Sequence, residues 1–151
     1  MGHIVVETVI VAPREVVFDL ARDVSAHTAS AAFTRERAVP PGRTSGLLEL
    51  GDTVTFEGMH FFLRLRFTAR IVELDRPSRF VDELVRSSFR KLRHEHDFEE
   101  QGEVTVMRDT LEWVSPFGFI GRIADALFVT AHMRSFVTRK QLALKEIAER
   151  R

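Results

Sequence analysis

Pro116–Ile147 reads PFGFIGRIADALFVTAHMRSFVTRKQLALKEI, and within it Ile120, Ile123, Leu127, Ala131, Val137, Leu144 and Ile147 recur at three- and four-residue steps. That spacing predicts one helix of about 30 residues, ~45 Å long at 1.5 Å per residue. The chain before Pro116 follows a different period. His3–Val11, Asp52–Glu57, His60–Leu74, Arg79–Arg86, Lys91–Glu99 and Val104–Val114 read as strands, with a weaker candidate at Phe33–Val39. The breaks at Asp75-Arg76-Pro77-Ser78 and Glu100-Gln101-Gly102 are hairpin connections, so consecutive strands pair antiparallel in a meander. Between the first strand and the rest, Ala12-Pro13-Arg14-Glu15 opens a short helix, since proline is tolerated in a first turn, and Val24–Ala29 reads as a second. Pro40-Pro41-Gly42 marks a rigid-then-flexible turn. A helix this long must bury its stripe, and the inner face of the meander is the one apolar surface large enough to take it. The expected architecture is therefore α+β: a curved antiparallel sheet of six or seven strands around a long C-terminal helix, in one domain spanning residues 1–151.

Bulk properties narrow the function classes. Lys+Arg and Asp+Glu both number 22, so no net field draws the chain toward nucleic acid or an anionic membrane. The chain has no cysteine, which removes disulfides, thiolate nucleophiles and cysteine metal sites. The opening strand lacks a basic leader and contains Glu7, so a cytoplasmic location is expected. No apolar run reaches the ~18 residues of a membrane span. Thirteen Phe against one Trp and no Tyr supply many ring faces but few hydrogen-bonding handles, which suits an oily interior.

Leu92-Arg93-His94-Glu95-His96-Asp97-Phe98 carries the clearest polar signal. Its alternation puts Arg93, Glu95 and Asp97 outside, and Leu92, His94, His96 and Phe98 toward the helix. A turn at Gln101-Gly102 would pair residues whose numbers sum to about 203, setting His94 across from Asp109 and His96 across from Met107. A sum of about 177 in the preceding hairpin would bring Glu83 toward His94. The pair His94/Asp109 is a candidate general base, or a hydrogen-bonding spot for a ligand oxygen; a structural pair in the core is the competing reading. His-x-His beside a carboxylate also suits some metal sites, but His3, His27, His60 and His132 are scattered and read as surface or locally satisfied residues. Neither metal nor cofactor is expected.

In His60–Ile71, Phe61, Leu63, Leu65, Phe67, Ala69 and Ile71 alternate inward, while Arg64, Arg66 and Arg70 form an outer stripe read as a solvated face and not as a phosphate contact. Phe56, Phe67, Phe98, Leu111 and Trp113 from the sheet, with Ile123 and Leu127 from the helix, are expected to line the interior. The sequence contains no Gly-x-Gly-x-x-Gly, phosphate loop, Gly-x-Ser-x-Gly or His-Glu-x-x-His pattern, which disfavours nucleotide-dependent and zinc-protease chemistry. Gly118 and Gly121 read as a hinge or close-packing site at the helix entry.

The order strand, Ala-Pro-x-Glu-x-Val-Phe helix, meander, Arg79-Phe80-Val81-Asp82-Glu83, His94-Glu95-His96-Asp97-Phe98, Asp109-x-x-Glu-Trp, Pro116-Phe117-Gly118 and long final helix resembles the START/Bet v 1-like (SRPBCC) superfamily, in a bacterial branch. The resemblance covers essentially the whole chain. It implies the helix-grip fold and an internal cavity for a small hydrophobic molecule such as a lipid, polyketide or quinone-like compound. Binding, sequestration or transport of that molecule is the first expected function, with His94 and Asp109 orienting it. The alternative is a polyketide cyclase-like enzyme using His94 as base, though the chain has no tyrosine to stabilise an enolate. A protein that docks a macromolecule through its long helix or arginine-bearing face, to be told apart by an exposed apolar patch in place of an enclosed void, is a third reading.

Overall fold

A computed structural model describes residues 2–60, 62–86 and 89–151. β1 (Gly2–Ile10) leads into α1 (Arg14–Ala21) and α2 (Val24–Ser30), followed by β2 (Arg37–Val39), β3 (Thr53–His60), β4 (Leu63–Asp75), β5 (Arg79–Arg86), β6 (Lys91–Gln101) and β7 (Val104–Val114). α3 (Gly118–Ala124), a π-helical turn (Asp125–Val129) and α4 (Thr130–Glu149) then run on as the expected long helix. The strands form one antiparallel sheet in the order β1-β7-β6-β5-β4-β3-β2. Register shifts between Thr68/Ala69 and Ile71/Glu73 bend β4 against β5, and such bulges curl a sheet. The helix-grip fold expected from the sequence is the fold the protein has.

Local chemistry explains the boundaries. Pro13 precedes α1 in an extended conformation, and Val17, Phe18 and Leu20 form its buried stripe. Asp23 caps α2 by accepting from the Ala26 N–H at 3.1 Å. The expected strand from Phe33 is shortened to Arg37–Val39, because Ala32–Thr34 closes a 3₁₀ turn and Arg35 takes a left-handed conformation at φ 55°. Phe61 lies outside the described residues, and Leu63 is exposed at the hairpin tip, so the inward run of β4 begins later than its alternation suggests. At the helix entry Gly121 packs so closely on the Pro116 carbonyl that a Cβ would collide with it. Trp113 Nε1 donates to Asp125 Oδ1 at 3.1 Å and the Ser115 hydroxyl donates to the same oxygen at 2.5 Å, tying the π turn to the end of β7.

The β6–β7 register differs from the expected one by two residues. Gln101 pairs with Val104, leaving Gly102-Glu103 as the turn, with Gly102 at φ 62°. His94 therefore faces Leu111, and His96 faces Asp109. Because side chains alternate with period two, a two-residue shift keeps every residue on its own face. In β5–β6 the pairing places Asp82, not Glu83, opposite His94. That single-residue difference does change faces.

Two apolar clusters pack between sheet and helices. At the end covered by α1 and α2, Phe18 meets Phe80 and Phe98 edge-on at 5.4 and 5.2 Å, with Ile10 and Leu144 beside them. Toward the end where β7 leaves the sheet, Ile4, Leu111, Trp113 and Val137 form the second cluster, flanked by Val129, Met133 and Phe136. Full burial of rings and branched chains of this size contributes ~1.5–3 kcal/mol per side chain. The layer between the clusters is polar.

Candidate functional site

The polar layer begins on the central strands. His94 and His96 lie two residues apart on β6 and project to the same side, with ring centroids 3.8 Å apart and nearly parallel. His96 also stacks on Phe80, at 4.1 Å. The strands on either side each supply a carboxylate: His96 Nε2 donates to Asp82 Oδ2 on β5 at 2.8 Å, and His94 Nε2 donates to Asp109 Oδ2 on β7 at 3.1 Å. His96 Nδ1 faces Asp109 Oδ1 at 3.7 Å, and that buried oxygen has no hydrogen-bond partner.

A second relay starts at α2 and crosses to β3. His27 Nε2 lies 2.6 Å from Glu36 Oε1, Glu36 Oε2 lies 3.9 Å from His60 Nε2, and His60 Nδ1 shares a hydrogen bond with His132 Nε2 of α4 at 2.9 Å. His27 stacks on Phe56 at 3.8 Å, and Phe67 meets His60 edge-on. Lys140 of α4 and Gln141 complete the layer. Gln141 accepts from the Thr8 hydroxyl at 2.7 Å and donates to the Val6 carbonyl at 3.0 Å, so it is satisfied while buried.

Electrostatics set the two relays apart. Burial pulls His96 down, but Asp109 and Asp82 together outweigh burial and hold it up at about 9. Burial and the neighbouring His96 charge push His94 down, against the pull of Asp109. Asp109 is held well below the ordinary carboxylate range because the His96 and His94 charges overcome its desolvation. Asp82 is lowered in the same way. In the second relay, burial and the Lys140 charge drive His27 down to about 4, against Glu36. Glu36 is buried too, yet the His27 hydrogen bond, with the His60 ring close by, keeps it ionised far below its usual range. Lys140 is lowered by desolvation, in opposition to Asp109, Glu36 and Asp82.

The sequence-predicted site residues divide into three groups. His94, His96 and Asp109 meet in the first relay, and Phe56 and Phe67 flank the second. Phe98, Leu111 and Trp113 are buried in the apolar clusters. Glu83, Ile123 and Leu127 do not join the interior. Glu83 faces outward and accepts from Arg93 Nη1 at 2.8 Å, while Ile123 is 45% and Leu127 62% exposed. The long helix turns its Val129/Met133/Val137 side to the sheet, which leaves those two uncovered. Sequence reasoning missed Asp82, Glu36, Lys140 and the joining of His27, His60 and His132. Asp82 had a signal: it interrupts the inward alternation Phe80–Asp82–Leu84, a position where an acid needs a partner. His27 and Glu36 come from a helix and a loop whose approach has no periodicity to read.

One donor atom from each of Asp82, His94 and His96 lies within 4.8 Å of the others, a set that matches divalent-metal chemistry in residue type. The two imidazoles nevertheless stack face to face, and their shortest bonds run to opposite neighbouring strands. Each imidazole instead has its own carboxylate partner, His96 on Asp82 and His94 on Asp109. Chemically, the layer offers a neutral, carboxylate-oriented imidazole at His94, a charged one at His96 and an amine at Lys140. A void of about 20 Å³ touches His27, His96, Asp109, Lys140 and Gln141, room for a single water. A larger groove of about 400 Å³ lies outside, along Glu15, Asp19, Leu47 and Arg76, and is open to solvent. On the sheet's outer face Arg37, Arg64 and Arg66 converge on Glu57 and hold its carboxyl down at about 2, so one carboxylate gathers three cations and leaves the stripe net positive.

The fold has close structural parallels. TTHA0849 from Thermus thermophilus superimposes with a TM-score of 0.78 at 20% identity, covering 96% of this chain and 95% of that one. A START superfamily protein from Mycobacterium smegmatis gives 0.75 at 10% identity over 98% and 97%. Ginseng major latex-like protein 151 from Panax ginseng gives 0.70 at 11% over 97% of both chains. The sequence matches no protein-family model and no curated protein. At these identities the likeness establishes the fold, a framework that other chains use for different purposes. Among the described residues, no helix is long and apolar enough to cross a membrane.

Proposed function

We propose that this chain binds a small, largely apolar molecule between the sheet and the first half of the long helix, with the molecule's polar end against the histidine layer, and so sequesters or carries it. The observation that carries this reading is the pairing of a buried polar layer with an uncovered apolar end. His60 on β3 shares a hydrogen bond with His132 of α4 at 2.9 Å, and the helix turns that precede His132 leave Ile120, Ile123, Leu127 and Phe128 facing solvent. Apolar walls supply affinity and a few placed polar groups supply orientation. The void beside His96 and Asp109 holds about one water, so a larger guest there needs the helix to move. The π turn at Asp125–Val129, a break in the regular hydrogen-bond pattern, is the natural place for it to bend.

Native mass spectrometry of gently purified protein tests this reading. A bound organic mass that His94→Leu weakens supports it. A ligand-free spectrum, together with no saturable uptake of a fluorescent fatty acid, rejects it. A second reading has its own support in the 3.1 Å contact between His94 and Asp109: a polyketide cyclase-like enzyme in which neutral His94 takes a proton from a carbon next to a carbonyl. For that reading, His94→Gln, which keeps a donor for Asp109, should abolish turnover of a poly-β-ketone while the protein remains folded by circular dichroism.

A further inference from the structure

The antiparallel meander brings three connections to one end of the molecule: the β3–β4 turn, the β5–β6 turn, and the corner from β7 into α3. The hydrogen bond between His60 and His132 and that between Trp113 and Asp125 fasten this end to the helix. Its surface is unusually apolar. Phe62 at the β3–β4 tip is fully exposed, and Phe117, Phe119, Ile120, Leu127 and Phe128 are each 62–81% exposed. Scattered apolar residues on a surface are ordinary; a group this dense at one end marks an interaction site.

Charge identifies the occupant. The segments 58–66, 84–92 and 113–134 carry Arg64, Arg66, Arg86, Arg90, Lys91, Arg122 and Arg134, and a single acid, Asp125, which is buried. Of the flanking acids, Glu57 is engaged by three arginines and Glu83 by Arg93, while Glu112 is exposed with His3 3.9 Å away. A chain of zero net charge has thus placed a cationic rim around an apolar end. Apolar side chains ringed by exposed Arg and Lys match an anionic lipid–water interface, where the rings and aliphatic chains enter the acyl boundary and the cations meet the headgroups. A protein partner or a second copy would bring acids to the rim, and these three segments offer no exposed acid with which to pair in a symmetric dimer.

We infer that this end docks on anionic bilayer surfaces, inserting Phe62 and the first turns of the long helix. The inference goes beyond ligand binding and stands apart from it: sedimentation with vesicles requires no occupant in the interior, and an occupied interior requires no vesicle. Sedimentation of the purified protein with vesicles of phosphatidylcholine alone, and with phosphatidylglycerol added, tests it. Binding is expected to the anionic vesicles and to weaken at high salt. Phe119→Asp with Ile120→Asp should abolish it, and Arg90→Glu with Lys91→Glu should weaken it by ~20-fold or more, at about fivefold per cation lost. All four side chains are exposed, so circular dichroism melts should match the parent. Failure to bind anionic vesicles overturns the inference. So does a concentration-dependent dimer in solution that Phe119→Asp/Ile120→Asp dissociates, because a second copy would then be what covers this surface.

Discussion

The two histidine relays lie in one buried layer and are poised in opposite directions. His96 stands between two carboxylates, Asp82 and Asp109, and keeps its proton to about pH 9. His27 shares its single carboxylate, Glu36, with His60 and feels Lys140, and stays neutral down to about pH 4. Desolvation opposes charge at both sites. Two flanking anions outweigh it, and one shared anion next to an amine does not. Burial and residue type are therefore insufficient to assign a charge state, and the count of opposing charges decides it.

The contrast can be broken most severely at Asp109. Asp109→Ala removes a carboxylate serving both imidazoles and leaves a charge buried beside Phe80, so urea unfolding should show a loss of about 3–5 kcal/mol. Retention of parental stability would mean that the first relay is electrostatically idle.

The pH dependence comes next. Between pH 6.5 and about 4 the unfolded chain binds a proton that folded His27 refuses, so stability falls as pH drops through that window. Between 6.5 and about 9 folded His96 keeps a proton the unfolded chain has lost, so stability falls as pH rises. Each limb amounts to about 3.5 kcal/mol at most, at ~1.4 kcal/mol per unit. Melting temperature against pH should therefore pass through a maximum near neutrality. His96→Phe should flatten the alkaline limb and His27→Gln the acid one. A flat profile in the parent would remove the contrast.

A smaller effect is expected at Glu36. Glu36→Gln keeps the shape and can still accept one hydrogen bond, so the cost is that of an imperfectly satisfied buried network, roughly 1–3 kcal/mol by denaturation. At the uncovered end of the helix Leu127→Ser should change stability by no more than about 0.5 kcal/mol, whereas truncation of buried Leu144 to Ala should cost ~2–5 kcal/mol. A large loss at Leu127 would mean that this end is packed in solution.

The helix and meander are legible because each has a period, and the inward face of β6 follows from alternation alone. The His94–Asp109 contact survives a misplaced turn because the two-residue error preserves facing. Glu83 does not survive, since its error is one residue. A sequence stripe puts Ile123 and Leu127 inside because it shows that a helix is amphipathic without showing where along its length the sheet stops covering it. The joining of His27, Glu36, His60 and His132 is beyond reading, because it depends on how α2 and the loop before β2 fold across β3.

Histidine ring titration by NMR measures the contrast most directly. His27 should titrate near 4 and His96 near 9 within one folded protein. Both titrating near the ordinary value of about 6.5 would contradict the account.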